Sequence, residues 1–201
     1  GKINDDLLIY GSSRAWVHID PLILENDFGK TSYNLGIDGH NFWLQHLRHK
    51  KLLKYNSKPK YIIISVDVFS LAKSKGLYNL EQFLPYMLFD NDIMKYTISY
   101  DGFSYLDYFV PFFRFVGRKQ TIKNVKNNFK NPNKSETFRI KGFKGMDRSW
   151  NNDLMKAKKK NKRYQIDQEP KSIELFDKFL NECKRMNIEV ILVYTPEYIS
   201  G

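Results

Sequence analysis

The sequence predicts a layered α/β domain built on a mostly parallel β-sheet. Short apolar runs typical of buried strands alternate along the chain with segments of helical character, which is the pattern of this fold class. The most apolar run, Tyr61–Val66, is rich in β-branched residues, and this indicates a strand covered on both faces. Because 42% of the 201 residues are hydrophobic and 27% are charged, the chain can form a packed core, and global disorder is excluded.

The strands and helices follow from local patterns. Short apolar runs bounded by glycine, proline or polar residues predict four strands, at 6–11, 31–35, 61–66 and 188–194. Helical composition and apolar residues on one face predict two helices, at 41–55 and 172–186. Residues 15–28 are of mixed character and are interrupted by Pro21. The alternation of these elements is the reason for expecting parallel strands joined by crossover helices.

Residues 70–168 break the alternation, and we interpret them as one long insertion within a single domain spanning residues 1–201. The first part is aromatic, with 13 aromatic residues at 78–115. The second part is basic, since residues 117–163 hold 16 lysines and arginines and three acidic residues, a net charge of +13. The rest of the chain carries −2, so the overall charge of +11 belongs to one segment and does not favour a dedicated nucleic-acid-binding fold.

The insertion leaves several interpretations open. Residues 107–116 are interpreted first as a buried aromatic core, with a lid over a site or a patch at a membrane interface as alternatives. The lysine-rich run at 156–163 is typical of a solvated charge cluster; if functional, the basic segment 117–163 would attract an anionic membrane or glycan surface. Nucleic acid is not expected as a partner, because the aromatic residues that would stack on bases lie apart from the charges.

Ligands of open α/β sheets bind beyond the carboxyl ends of the strands. This rule places four segments on one rim: Ser12-Ser13, 36–41, Asp67 and 195–197. A serine after a strand can present an exposed hydroxyl beside backbone N–H donors, as nucleophilic acyl transfer requires, although serine is also a preferred helix cap. The glycines of the second turn allow close backbone approach or simply make a tight turn, and Asp67 could contact a ligand or cap a turn.

Three blocks of the chain, taken in order, resemble the SGNH (GDSL-like) hydrolases and acyltransferases. Tyr10-Gly11-Ser12-Ser13-Arg14 is similar to the strand and Gly-Asp-Ser of their first block. Asn34–Gly39 is similar to the Asn/Gly-rich turn of the second block, and Ser65–Val68 is similar to the third. The Gly-Ser-Ser start is closer to the bacterial cell-envelope branches, which include alginate-acetylating enzymes and the D-alanine-transfer protein of teichoic acids.

The resemblance implies a flavodoxin-like α/β/α sandwich of three layers. It implies a serine esterase or O-acyltransferase acting on acyl groups of a cell-envelope glycan or a similar small-molecule substrate, with Ser13 as the nucleophile. The backbone N–H groups of Ser13 and Gly39 would hold the oxyanion, and Asp67 takes the place of a third oxyanion donor. No cofactor and no metal are implied, and the location would be extracytoplasmic, either periplasmic or membrane-anchored.

Two features depart from the family pattern. Asp67 stands where the family has an asparagine, and an ionised carboxylate would oppose an oxyanion instead of stabilising it. No histidine follows His49, so the catalytic His/Asp pair is expected outside residues 1–201, which would make the domain incomplete at its C-terminus. His40 is the one histidine expected on the rim, where an exposed or locally hydrogen-bonded turn residue is the favoured interpretation. A non-catalytic binding module for an anionic glycan or membrane surface is therefore the alternative function.

The remaining histidine and cysteine residues do not indicate a metal or redox site. His46 and His49 lie three positions apart on a basic helix without acidic or sulfur partners at ligand spacing. Cys183 falls on the apolar face of its predicted helix and is expected in the core, and a single cysteine excludes an internal disulfide. No apolar stretch approaches the roughly 18 residues of a membrane span.

Overall fold

The fold was derived from a computed structural model that describes residues 3–73, 75–119, 121, 123, 126, 139–147, 149, 151–160 and 166–195. The chain divides into two compact units. The first unit is discontinuous and comprises residues 1–73 and 140–201, and the second comprises residues 74–139. The expected insertion at 70–168 stays a prediction.

The first unit contains a four-stranded sheet in which every strand pair is parallel. Its strands are β1 (Leu7–Gly11), β2 (Ser32–Asn34), β3 (Tyr61–Val66) and β4 (Glu189–Tyr194). They are ordered β2-β1-β3-β4, so β1 and β3 are central and β4 is an edge strand. The mixed α/β class with a parallel sheet is thus confirmed, whereas the three-layer arrangement stays a prediction.

Seven α-helices with described bounds accompany these strands, and residues 119, 121, 123 and 126 are also helical. In the first unit they are α1 (Ser13–His18), α2 (Pro21–Phe28), α3 (Phe42–Tyr55), α6 (Asp153–Lys160) and α7 (Pro170–Arg185). In the second unit they are α4 (Asn91–Thr97) and α5 (Tyr105–Phe109), with short 3₁₀ helices at Leu80–Tyr86 and Phe113–Phe115. None of these described helices combines the length and apolar character that crossing a bilayer requires.

The mixed segment between the first two strands forms α1 and α2. Pro21 begins α2 at the first helical position, where its missing N–H costs no hydrogen bond. The Asp20 side chain caps the same end by accepting from the Leu22 N–H at 2.9 Å. Pro21 is therefore the start signal of a second helix and not an interruption of the segment.

Apolar side chains cover both faces of the two central strands. On one face Leu8 and Ile62 pack with Phe42 of α3 and with Phe179 and Cys183 of α7. Cys183 is fully buried there, as the sequence predicts for a core cysteine. On the other face Ile9 and Ile63 pack with Ala15 of α1. The outer strand β4 differs, because its Ile191, Leu192 and Tyr194 are exposed.

The second unit has its own core, built from the side chains of Phe83, Leu84, Met87, Ile93, Tyr96, Tyr100 and Tyr108. The expectation of a buried aromatic core at 107–116 is wrong for most of that segment. Asp107 and Tyr108 are buried, but Phe109, Phe112 and Val116 are 53%, 77% and 70% exposed. The core is filled by residues 83–108, and the chain beyond α5 lies on its surface.

The lysine-rich run lies partly in α6, where the described side chains of Lys156, Lys158 and Lys159 are exposed. Lys156 forms an ion pair with Asp153 at 3.4 Å, and both side chains are more than two-thirds exposed. Residues 161–163 lie outside the described residues. An exposed pair of this kind contributes little to stability, as expected of a solvated charge cluster.

A buried polar pair lies between α3 and the sheet. The Tyr10 hydroxyl and His49 Nδ1 are 3.1 Å apart, and His49 is 2% exposed with its ring against Phe179. Burial, and secondarily the neighbouring His46, lower the pKa of His49 from 6.5 to about 4. His49 is therefore neutral in the folded protein at physiological pH.

We expect Gly11→Ala to destabilise the first unit. Gly11 has φ 152, and an added Cβ would lie 2.7 Å from the Ala15 Cβ and 2.9 Å from the Ser65 Cβ. Overpacking of this kind, together with the unfavourable φ, should lower the free energy of unfolding by about 3 kcal/mol in urea titrations. Gly76→Ala is the matched control because nothing lies within 4 Å of its added Cβ. Equal stability of the two variants would contradict this packing.

We expect stability to fall as the pH drops from about 6.5 towards 4. The unfolded chain binds a proton at His49 with a pKa near 6.5, whereas the folded chain binds it only near 4, so acid favours unfolding across this window. The free energy of unfolding should decrease by about 2 kcal/mol between about pH 7 and about pH 5, measured by urea unfolding. His49→Gln should flatten this dependence, and His18→Gln, at an exposed position, should not. Parallel curves for all three proteins would refute the assignment.

Candidate functional site

The carboxyl ends of β1, β2 and β3 are joined by hydrogen bonds between the loops that follow them. The Ile37 N–H donates to the Gly11 carbonyl at 3.1 Å, which links the second loop to the first. The Ser12 hydroxyl donates to Asp67 Oδ2 at 2.7 Å, which links the first loop to the third. These contacts bring the segments holding Ser13, Gly39 and Asp67 to one edge of the sheet. Thr195 follows β4, and residues 196–197 lie outside the described residues.

Ser13 is exposed and is the first residue of α1. The capping role belongs to its neighbour, because the Ser12 side chain accepts from the Arg14 N–H. The hydroxyl of Ser13 makes no hydrogen bond to any residue that the structure describes. Of the two adjacent serines, one is therefore used in local structure and the other presents its side chain to solvent.

Gly36 and Gly39 have different structural reasons to be glycine. A Cβ at Gly36 would lie 2.7 Å from the Trp16 backbone nitrogen, so this glycine permits close approach of the loop to α1. Gly39 has φ 68, a left-handed conformation that disfavours other residues. The Trp16 Nε1–H donates to Asp38 Oδ1 at 2.7 Å and so fixes the loop beside Gly39.

The backbone N–H groups of Ser13 and Gly39 share one property. Neither donates a hydrogen bond to another residue within the described ranges, and both residues are exposed. Most backbone N–H groups in folded proteins are paired, so free donors on one rim are available to a ligand. Donors of this kind can hold a negatively charged oxygen where they lie close to a reacting hydroxyl.

Asp67 is 8% exposed, and its oxygens accept several hydrogen bonds. Besides the Ser12 hydroxyl, the carboxylate accepts from the Phe69 N–H at 2.8 Å and from the Ser70 hydroxyl at 3.4 Å. This arrangement corresponds to the turn-capping interpretation of Asp67. A carboxylate accepts hydrogen bonds and does not donate them, so these contacts do not support Asp67 as an oxyanion donor. That role of Asp67 stays a prediction.

Asn34 is a site-forming residue whose role the sequence reasoning missed. Its side-chain amide donates to the carbonyls of Ala15 and Ile19, at 2.9 and 2.7 Å, and its oxygen accepts from the Gly36 N–H at 2.9 Å. Asn34 is 2% exposed. One side chain thus fastens the end of α1 to the start of the glycine turn. The sequence feature that could have indicated this role is an amide side chain at the end of an apolar strand.

Residues 140–144 also contribute to this edge of the sheet. The Asn34 N–H donates to the Lys141 carbonyl at 2.8 Å, and the Lys144 N–H donates to the Trp16 carbonyl at 3.1 Å. The Lys141 ammonium binds the Glu25 carboxylate of α2, which lowers the pKa of Glu25. A segment assigned to the insertion therefore packs beside β2 in the first unit.

None of the four histidines hydrogen-bonds to Ser13. His40 is 2% exposed, so it is a locally hydrogen-bonded turn histidine and not an exposed one: its backbone N–H donates to the Ile37 carbonyl at 3.2 Å. It contacts solvent too little to meet a substrate directly. His46 and His49 are buried with α3, and His18 lies at the other end of α1. Within the described residues, no three histidine, cysteine or carboxylate side chains are grouped to hold a metal ion.

Comparison of the chain with protein-family models, with curated proteins and with solved structures finds no match. The case for a function therefore depends on the geometry of the rim and on the resemblance of its three sequence blocks.

We expect Asn34→Asp to destabilise the first unit strongly. The substitution keeps the acceptor for Gly36 but removes both donors, so the Ile19 carbonyl loses this hydrogen bond and the Ala15 carbonyl keeps only the bond from the Ile19 N–H among the described residues. A buried negative charge then lies beside both carbonyls, and the free energy of unfolding should fall by about 3 kcal/mol in urea. Asn4→Asp is the matched control, because within the described residues the Asn4 amide uses its oxygen alone, which accepts from the Ser57 N–H. A loss below about 0.5 kcal/mol in both variants would show that Asn34 is not structurally important.

Proposed function

We propose that this protein is an SGNH-type serine esterase or O-acyltransferase acting on acyl groups of a cell-envelope glycan or a similar substrate. The observation that carries the proposal is the exposed Ser13 hydroxyl on a rim with the N–H groups of Ser13 and Gly39, which donate to no residue that the structure describes. A nucleophile with nearby donors for the developing oxyanion is the minimum that acyl transfer requires.

In this proposal the Ser13 oxygen attacks the acyl carbonyl, and the carbonyl oxygen becomes negatively charged. The N–H groups of Ser13 and Gly39 then hold that charge. The original ester oxygen leaves with a proton, and water or a hydroxyl of an acceptor releases the acyl group from Ser13. Water gives an esterase and an acceptor hydroxyl gives a transferase, so the same first step serves both activities.

The base that activates Ser13 is the second requirement of the proposal. His18, His46 and His49 lie in positions unsuited to this role, and His40 is buried. The family resemblance assigns this role to a His/Asp pair, and no histidine follows His49 within residues 1–201. An extracytoplasmic location belongs to the same proposal.

Asp67 has a positioning role in this proposal. Its carboxylate holds the Ser12 hydroxyl at 2.7 Å, and Ser12 directly precedes the nucleophile. The contact fixes the turn after β1 against the turn after β3. Asp67 therefore orients the backbone of Ser13 without touching the substrate.

We expect Ser13→Ala to abolish hydrolysis of an aryl acetate by the natural full-length protein. Removal of a nucleophile typically costs at least about a thousandfold in rate. Ser57→Ala, another exposed serine, is the matched control and should hydrolyse the ester at the original rate. Equal rates for Ser13→Ala and the unaltered protein would exclude Ser13 as the nucleophile.

The alternative is a non-catalytic module that binds an anionic glycan or membrane surface. It is favoured by one observation: Asp67, at the position that the resemblance assigns to a third oxyanion donor, accepts hydrogen bonds from the Ser12 hydroxyl and the Phe69 N–H. Labelling with a fluorophosphonate separates the two functions, since only an activated serine reacts. Labelling of the full-length protein that disappears in Ser13→Ala supports the enzyme, and its absence supports the binding module.

A further inference from the structure

The second unit presents an apolar surface that the proposed reaction does not use. We call it the 105–116 surface. It is formed by α5 and the turns that follow, and its exposed side chains are those of Tyr105, Leu106, Phe109, Val110, Phe112, Phe113 and Val116. A run of large apolar side chains this dense is uncommon on the surface of a monomeric protein and marks an interaction site.

The segment that carries these side chains is fixed to its unit. Tyr108 is 1% exposed, and its hydroxyl is 2.7 Å from the Thr97 hydroxyl of α4. Asp107 closes a capping box by accepting from the Ser104 N–H at 2.7 Å. After the surface, Arg118 Nη2 donates to the Gly102 carbonyl at 2.6 Å. The apolar residues are therefore exposed on an anchored segment.

The most exposed aromatic residues of the unit have backbone conformations that disfavour them. Phe112 and Phe89 are each 77% exposed, and their φ values are 64° and 62°. A bulky residue in the left-handed region costs free energy, and glycine would avoid this cost. Phenylalanine at such positions gains nothing from burial in the chain itself, so its benefit is expected from a partner.

The charged residues of the segment that carries the surface are mostly basic. Between residues 102 and 119 the basic residues are Arg114, Arg118 and Lys119, and the one carboxylate, Asp107, is buried and hydrogen-bonded. Arg114 is half-buried, and its guanidinium lies 5.0 Å from the Phe115 ring centroid. A partly exposed guanidinium next to exposed phenylalanines fits a phosphate beside hydrocarbon.

We infer that the 105–116 surface inserts into the interface of a bilayer containing anionic lipids. Phe109, Phe112 and Val116 enter the boundary between headgroups and acyl chains, and Arg114 pairs with a lipid phosphate. Aromatic and aliphatic side chains flanked by arginine and lysine are the composition that favours interfacial binding. The complementary charge distinguishes a lipid surface from an uncharged apolar partner. This inference is independent of the proposed reaction at Ser13.

Flotation of the full-length protein with lipid vesicles tests the inference. We expect binding to mixed phosphatidylcholine–phosphatidylglycerol vesicles and much weaker binding to phosphatidylcholine alone. Phe112→Gly removes the most exposed ring of the 105–116 surface and relieves the positive φ, so folding should be retained while the partition coefficient falls about tenfold. Arg114→Gln should reduce anionic-vesicle binding about fivefold. Should the natural protein contain a separate membrane anchor, the same comparison is made after proteolytic release of the anchor.

Matched controls make each outcome decisive. Phe28→Ser alters a similarly exposed phenylalanine in the first unit and should bind vesicles unchanged. Ser13→Ala should also bind unchanged, which keeps this result separate from the enzyme test. The inference is overturned if the full-length protein ignores anionic vesicles, or if only substitutions at 156–159 weaken binding. It is equally overturned if light scattering shows that Phe112→Gly abolishes self-association, because the surface would then join two copies of the chain.

Discussion

The arrangement of the rim depends on a small set of hydrogen bonds that tie the ends of three parallel strands together. Asn34 holds the end of α1 to the glycine turn, and Asp67 holds the Ser12 hydroxyl from the third loop. Both side chains are nearly buried, so each lost bond would leave a desolvated polar group. The position of the exposed Ser13 is set indirectly, because hydrogen bonds hold the residues around it. This division separates the residues that build the site from the residue proposed to react.

Close packing imposes a second constraint on the same loops. An added Cβ at Gly11 or Gly36 would lie 2.7 or 2.8 Å from the Ala15 Cβ. The absence of a side chain at these two positions therefore allows α1 to lie close to the end of β1 and to the loop after β2. Because α1 is short, it has few contacts with which to fix its position. Gly11, Gly36 and the Trp16–Asp38 hydrogen bond together determine where α1 lies. The turn that holds Ser13 is therefore positioned by close backbone packing more than by contacts of large apolar side chains.

The sequence predicted the four strands because apolar, β-branched runs are local patterns, and it predicted the shared rim because parallel strands end at one edge. It could not predict the partner of Asp67, since Ser12 lies far away along the chain and the pairing depends on the register of β1 and β3. The packing of Lys141 beside β2 was missed for the same reason. The prediction of a buried core was wrong at 109–116, because an aromatic run has the same composition whether its side chains fill a core or lie on its surface. The catalytic role of Ser13 remains a prediction.

The path of the chain also bears on how the protein folds. Tyr61 pairs with Glu189 in adjacent strands, although the whole second unit is synthesised between them. During translation β1, β2 and β3 can associate early, but β3 keeps one open edge until β4 emerges from the ribosome. The intervening unit has its own core and can fold in that interval. Its early compaction would shorten the effective loop that must close, lowering the entropic barrier to completing the sheet.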